Sequence, residues 1–178
     1  MSSEAWAELR DFVAARGLAL SRTAFLLTGS EAAAEDLVQD TYVDVVRRWR
    51  RIDHNNPEPY VRRIMYSRFV DGLRRRRLRD WAFTTGDVER LPSASTPGPE
   101  AGVVDRLTFE GALQLLTPRQ RAVLVLRFYD DLSEAQTAEA MKVSRNTVKS
   151  QTRLALRRLC ELAPDLVPSV SDLSEGVG

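Results

Sequence analysis

Residues 117–160 read TPRQRAVLVLRFYDDLSEAQTAEAMKVSRNTVKSQTRLALRRLC, and the punctuation of this stretch predicts three helices with short breaks between them. Thr117 is a good N-cap. Pro118 suits the first helical position, where its missing N–H would have no partner anyway, and Gln120 stands where a capping box needs it. The apolar residues Ala122, Val123, Val125 and Leu126 follow. Ser133 opens a second helix that carries Ala135, Ala138 and Met141 at near-helical spacing. Ser144 opens a third, whose apolar side takes Val148, Leu154 or Ala155, and Leu159. From Lys142 to Arg158 there are six basic residues and no acidic one. An apolar stripe backed by a cationic face, set after a short turn, predicts a helix-turn-helix whose second helix enters a DNA groove.

Each part of that motif has a physical task. The small side chain of Ala138 lets the first helix of the pair lie close to the second, and the short turn fixes their angle. Arg145, Asn146, Lys149, Ser150 and Arg153 then face outward together, because positions i, i+4 and i+8 share one side. Lys149 and Arg153 carry donors for guanine O6/N7 or for phosphate, while Asn146 and Gln151 suit adenine or the backbone. Spacing leaves open which does which, and a solvated basic face on an ordinary helical hairpin fits the same residues.

Beyond this stretch, 178 residues make one large or two small domains. A hydrophobic fraction of 43% is enough for packed cores, and 29% charged residues argue for a soluble protein. The net charge is only +1, so a DNA-binding reading needs the charge to be segregated, and it is: residues 44–80 hold twelve arginines against five acidic residues. Acidic residues gather instead around 31–40, 87–105 and 165–175. Such local excess sets where a polyanion lands. One cysteine, Cys160, cannot form an internal disulfide, and with one histidine, His54, it cannot build a zinc site. Cys160 is expected to be a packing residue and His54 a loop residue. The N-terminus lacks a cationic start followed by an apolar run, and no stretch approaches the ~20 apolar residues of a membrane span. A cytoplasmic protein without membrane partner, metal or cofactor is expected.

The front half reads as helices. Residues 4–27 carry Trp6, Leu9, Phe12, Val13, Leu20, Ala24 and Leu27 at steps of three and four, with Gly17 a place for a break or bend. Gly29 suits the position just past a helix end, and Ser30 caps the next helix. That helix, 31–51, is acidic at its start and ends in Arg47, Arg48, Arg50 and Arg51, matching the macrodipole at both ends. Val38, Tyr42, Val45 and Trp49 predict its apolar stripe, leaving Asp36, Gln39, Asp40, Val43 and Asp44 to look elsewhere. Residues 52–59, IDHNNPEP, read as a loop because two prolines interrupt any helix. Residues 60–80 predict a helix with Val61, Ile64, Met65, Phe69 and Leu73 inward and Arg62, Arg63, Arg68 and Arg74 to Arg77 on its polar surface. Trp81 and Phe83 fit either base stacking or closure of a helix bundle. Residues 84–102, TTGDVERLPSASTPGPEAG, have a linker's composition. A connection of that length predicts two separate domains. A helix over 104–116 starts the second domain and gives it four helices. Residues from 163 on read as a disordered tail.

In this order, DLVQDTYV, the loop leading to a helix that ends in RRRR, the linker, LTPRQRAVLVLRFYDDLSEAQTAEAM and VSRNTVKSQTRLALRRL resemble the extracytoplasmic-function group of sigma-70-type sigma factors, with closest similarity to the SigE-like actinobacterial type. The resemblance implies an all-α protein of two small helical domains: a helical bundle over 1–83 corresponding to region 2, a flexible linker over 84–103, a helix-turn-helix domain over 104–162 corresponding to region 4, and a tail over 163–178. It implies that Asp36, Gln39, Asp40 and Val43 meet the β′ clamp helices of core RNA polymerase and that the second domain meets the β flap. By the same resemblance Asn55, Asn56, Arg63, Ser67, Arg68 and Arg74 match the positions that capture and melt the −10 element. Arg145, Asn146, Lys149, Ser150 and Arg153 would read the −35 element. An anti-sigma protein is common in this group. The family's turn usually has Gly where Lys142 stands, and a non-Gly residue at positive φ is strained by about 1 kcal/mol, which leaves that turn's geometry open.

Melting suits this composition, since arginines for phosphates stand beside a polar loop for extruded bases. No nucleotide-binding loop, metal cluster or nucleophile with its base is visible, so no enzymatic activity is expected. The competing expectation is a two-domain helix-turn-helix regulator acting without core polymerase. It would need a ligand or phosphoacceptor domain in front, where no βαβ pattern occurs.

Overall fold

The computed structural model describes residues 3–83 and 108–162, with the side chains of 77–83 left aside. The linker, the tail and the reading of Trp81 and Phe83 lie outside what it describes. Seven helices account for the architecture, with no strand among the described residues: α1 (Ser3–Thr28), α2 (Glu31–Arg48), α3 (Glu58–Phe83), α4 (Phe109–Gln114), α5 (Pro118–Leu124), α6 (Glu134–Met141) and α7 (Arg145–Leu162). The chain divides into two compact units, the first built on α1–α3 and the second on α4, α5, most of α6, and α7.

In the first unit α1 runs unbroken through Gly17, where the sequence suggested a break or bend. A Cβ at this glycine would lie 3.4 Å from the Tyr42 hydroxyl, so the helix passes close to α2 here. Gly29, at φ 76°, ends α1, and its N–H reaches back to the Phe25 carbonyl at 2.7 Å. This is the left-handed cap that only glycine adopts without strain. Ser30 then caps α2, its side chain accepting from the Ala33 N–H. A tighter 3₁₀ turn over Trp49–Arg51 follows α2.

The stripe that α2 buries is not the expected one. Ala34, Leu37, Thr41, Asp44 and Val45 face inward with Trp49, while Val38 and Tyr42 are half-buried at the flank. Asp44, expected to look outward, is 8% exposed. Helix α3 begins two residues earlier than expected. Its first bond runs from the Val61 N–H to the Pro57 carbonyl at 3.0 Å, so Pro59 sits in the first turn, where a missing N–H costs nothing. Val61, Met65 and Tyr66 from α3 pack with Leu20, Ala24 and Leu27 from α1 and with Val45 and Trp49 to form the core.

In the second unit the described part of the expected 104–116 helix starts at Thr108, which caps α4 by accepting from the Gly111 N–H. The capping box at Thr117 is present in both directions, with Pro118 at the first turn. Helix α5 does not simply stop. Over Val125–Tyr129 it widens into a π turn, with the Asp130 N–H bonded to the Val125 carbonyl at 3.0 Å. Arg121, only 5% exposed, donates to Gln114 Oε1 at 3.0 Å and to the Leu116 carbonyl at 3.4 Å, tying α5 back to α4. Ala122, Val123, Leu124 and Leu126 form a core with Val148, Ala155 and Leu159 of α7.

Candidate nucleic-acid interface

The turn before α7 decides where the basic face points. Ser133 caps α6, its Oγ accepting from the Gln136 N–H at 3.2 Å while Gln136 Oε1 accepts from the Ser133 N–H at 2.8 Å. At the other end of α6 the Val143 N–H reaches the Ala138 carbonyl at 3.0 Å and the Lys142 N–H reaches the Glu139 carbonyl at 3.1 Å. Those two bonds make a Schellman cap. Lys142 occupies its left-handed position at φ 54°, so the turn keeps the geometry that glycine would favour and carries the backbone strain instead. Ser144 caps α7, accepting from the Thr147 N–H at 3.1 Å.

From there α7 presents two faces. Val148, Thr152, Ala155 and Leu159 are buried, and Thr152 returns its hydroxyl to the Val148 carbonyl at 2.9 Å. Of the two residues the sequence offered for this stripe, Ala155 is inside and Leu154 outside. Arg145, Asn146, Lys149 and Arg153 are exposed; Ser150 is half-buried and donates to the Thr147 carbonyl at 3.0 Å. Lys149 Nζ lies 3.8 Å from Glu134 Oε2, a restrained cation that a phosphate or base edge would have to draw away.

In the first unit Asp36, Gln39, Asp40 and Val43 are all exposed on α2, at the i, i+3, i+4, i+7 spacing of one face. Val43 brings an apolar side chain to that face at 48% exposure. The expected −10 residues do not all share a setting. Arg63 and Arg74 are exposed, Ser67 is half-buried, and their spacing along α3 puts them on one side. Arg68 lies on another side, against α2, where its Nε and Nη2 both reach Asp44 Oδ2 at 2.6 Å. Arg62 is likewise engaged, through Nε to Glu58 Oε1 and through Nη1 to the Thr23 hydroxyl, each at 3.0 Å. Arg16 reaches the other oxygen of Glu58 at 3.1 Å. Two of the arginines read as solvent-facing therefore fasten α3 to its neighbours, Arg62 to α1 and Arg68 to α2.

The loop between α2 and α3 exposes Asn55 and Asn56. Asp53 shapes it, accepting from the Asn55 N–H at 3.0 Å through Oδ1 and from the Asn56 N–H at 3.2 Å through its carbonyl. His54 is more than a loop residue. Nδ1 lies 2.6 Å from Glu8 Oε2 on α1, Nε2 lies 2.9 Å from the Trp49 carbonyl, and the ring sits 5.2 Å from the Trp49 ring. The bond to the Trp49 carbonyl, then that to Glu8, hold its pKa above the ordinary histidine value. On α2, burial raises the pKa of Tyr42, whose hydroxyl has no hydrogen-bond partner.

Sequence reasoning missed Asp44, Arg68 and His54 as partners. The signal for Asp44 was available: it stands seven residues after Leu37 and three after Thr41, in phase with the stripe that α2 buries. Among the described residues no group of three or more His, Cys, Asp or Glu is placed to hold a metal ion. None of the described helices is long and apolar enough to cross a membrane.

The arrangement places exposed cations on two helical scaffolds and exposed amides in the loop between α2 and α3. Residues 12–79 match the family described as Sigma-70 region 2, and residues 106–159 match Sigma-70, region 4. The RNA polymerase sigma-E factor of Streptomyces avermitilis is 35% identical over 155 residues, covering 86% of this chain and 84% of that one. The ECF RNA polymerase sigma factor SigL of Mycobacterium tuberculosis is 32% identical over 79% of this chain and 80% of its own. A solved structure of the sigma factor RpoE of Bartonella quintana in complex with the anti-sigma factor NepR superposes with a TM-score of 0.59 at 25% identity, covering 86% of this chain and 95% of that one. The region 2 match takes in the whole of the front-half face, which a helix-turn-helix regulator acting alone would not carry. The chain therefore belongs to the sigma-70 family, as an RNA polymerase sigma factor of the extracytoplasmic-function kind.

Proposed function

We propose that this sigma factor divides its work between the two units. Region 2, over residues 1–83, takes core polymerase on the α2 face of Asp36, Gln39, Asp40 and Val43, the apolar Val43 anchoring a polar patch against the β′ clamp helices. The loop amides of Asn55 and Asn56 take extruded bases of the −10 element, and Arg63, Ser67 and Arg74 take its backbone. Arg68 is reassigned here from DNA contact to positioning, because Asp44 already holds its guanidinium. Region 4, over residues 104–162, meets the β flap and reads the −35 element through Arg145, Asn146, Lys149, Ser150 and Arg153. Residues 84–103 serve as the flexible tether and 163–178 as a tail. The chain does no covalent chemistry; it lowers the cost of opening duplex by binding the opened form. It acts in the cytoplasm, where polymerase and chromosome meet. An anti-sigma protein that covers these faces is its expected regulator, a reading supported by the relative solved with NepR.

The observation that carries the reading is α7: four exposed polar or cationic residues, Arg145, Asn146, Lys149 and Arg153, on the helix that follows a rigidly capped turn. Reconstituted transcription tests it. Core polymerase plus this chain should initiate at a matching promoter. A chain that bound duplex DNA alone and never restored initiation would overturn the reading.

A further inference from the structure

His54 has an acceptor on each side and no donor on either. Ionised Glu8 and the Trp49 carbonyl can only accept, so both ring nitrogens must carry a proton for both bonds to stand. That is the imidazolium. Its two bonds reach α1 and the 3₁₀ turn after α2, and its ring lies over Trp49, itself 1% exposed in the core. The residue next along the chain is Asn55, held in turn by Asp53. Glu8 from α1 and Asp53 from the loop are the charged groups acting on the ring, both favouring its charged form.

The geometry points to His54 as the positioning residue of the base-capturing loop: its imidazolium fastens residues 53–56 to the helical core, so that Asn55 and Asn56 are held outward in one arrangement for unpaired bases. This rests on the proposed reading of Asn55 and Asn56 as −10 contacts. A loop fastened in advance spends no ordering entropy when a base arrives. When the imidazole loses a proton, one bond is replaced by a lone pair facing an acceptor, and the loop is held by one bond instead of two. His54 is raised from its ordinary value, so fastening is complete below about pH 6.5 and one bond is lost as pH climbs through the raised value. The device makes strand opening, rather than polymerase binding, sensitive to pH.

The test uses the full chain with core polymerase on a promoter carrying 2-aminopurine in the −10 element, whose fluorescence reports unstacking. The opening rate of wild type divided by that of His54→Gln cancels the polymerase's own response to pH. The ratio is expected to be about fivefold near pH 6, the factor that goes with one net hydrogen bond, and to fall towards one at alkaline pH. A ratio that is flat across pH, whether at one or above it, overturns the proposal. Glu8→Gln gives a second arm that keeps the imidazole in place: it leaves an acceptor at Nδ1 but removes the charge, so the midpoint of the wild-type profile should move to lower pH. An unmoved midpoint also overturns it. Both arms require that wild type opens the promoter; failure of wild type to do so at any pH would instead bring down the parent reading of the −10 face.

Discussion

Removing the Asp44–Arg68 pair should have unequal effects from its two ends. Asp44 is 8% exposed, and both Nε and Nη2 of Arg68 rest on its Oδ2 at 2.6 Å. Its other nearby cation, Arg47, is 3.9 Å away and largely in solvent. Arg68→Ala therefore leaves a buried carboxylate poorly answered, and such orphaned charges cost about 3–5 kcal/mol. The side chain of Arg68 is 29% exposed. Asp44→Ala lets that guanidinium turn to water and should cost only about 2 kcal/mol, the worth of a hydrogen-bonded charge. The double variant should be no less stable than Arg68→Ala alone, giving a coupling of about 2 kcal/mol between the positions. The assay is thermal unfolding by tryptophan fluorescence. All three tryptophans, Trp6, Trp49 and Trp81, precede the linker, so the signal reports the first unit. For a unit of this size Arg68→Ala should lower Tm by roughly 10 °C or more. Additive losses, within about 0.5 kcal/mol, would show that the pair is not the fastening described.

Arg63→Ala should reduce the slope of log affinity against log salt by roughly 0.7–0.9, as one lost phosphate contact does, whereas Arg68→Ala should leave the slope unchanged; equal changes would return Arg68 to the DNA face. Lys149→Ala should weaken binding of a −35 duplex by about 1–3 kcal/mol if it contacts a base, with core-polymerase affinity in the same titration unaltered. Gly17→Ala should raise stability by about 0.5–1 kcal/mol, because the new methyl would meet Tyr42 Oη at 3.4 Å and Val13 Cγ1 at 3.7 Å, both ordinary contacts; a lower Tm would mean that α1 and α2 cannot accept it.

What was legible in the sequence was mostly local. The caps at Ser30, Thr117, Ser133 and Ser144 and the glycine ending α1 are decided by the chemistry of a few adjacent residues, and each is where the sequence put it. The exposed face of α7 was legible too, because a helix with one buried stripe fixes the direction of everything else. Partners from distant segments were not. Arg68 and Arg62 carry the same composition signal as Arg63 and Arg74, and only the packing of α3 against α1 and α2 separates the fasteners from the arginines on its exposed side. His54 read as bland for the same reason: Glu8 lies on another helix, forty-six residues earlier in the chain. On α2 the choice between two overlapping stripes went to the smaller residues Ala34 and Thr41, which admit close approach, over the bulkier Val38 and Tyr42.

Arg121 has a consequence for how the second unit comes apart. Helix α4 has six residues, too few to persist in water unaided. Its last residue, Gln114, supplies one acceptor for the dehydrated Arg121 guanidinium, and Leu116 just beyond supplies another. Peeling α4 away by itself would strand that cation among apolar side chains, so fraying from this end is blocked until α5 itself loosens. The shortest helix thereby shares the lifetime of its neighbour, and amide protons in α4 should exchange with the cooperativity of the whole four-helix body.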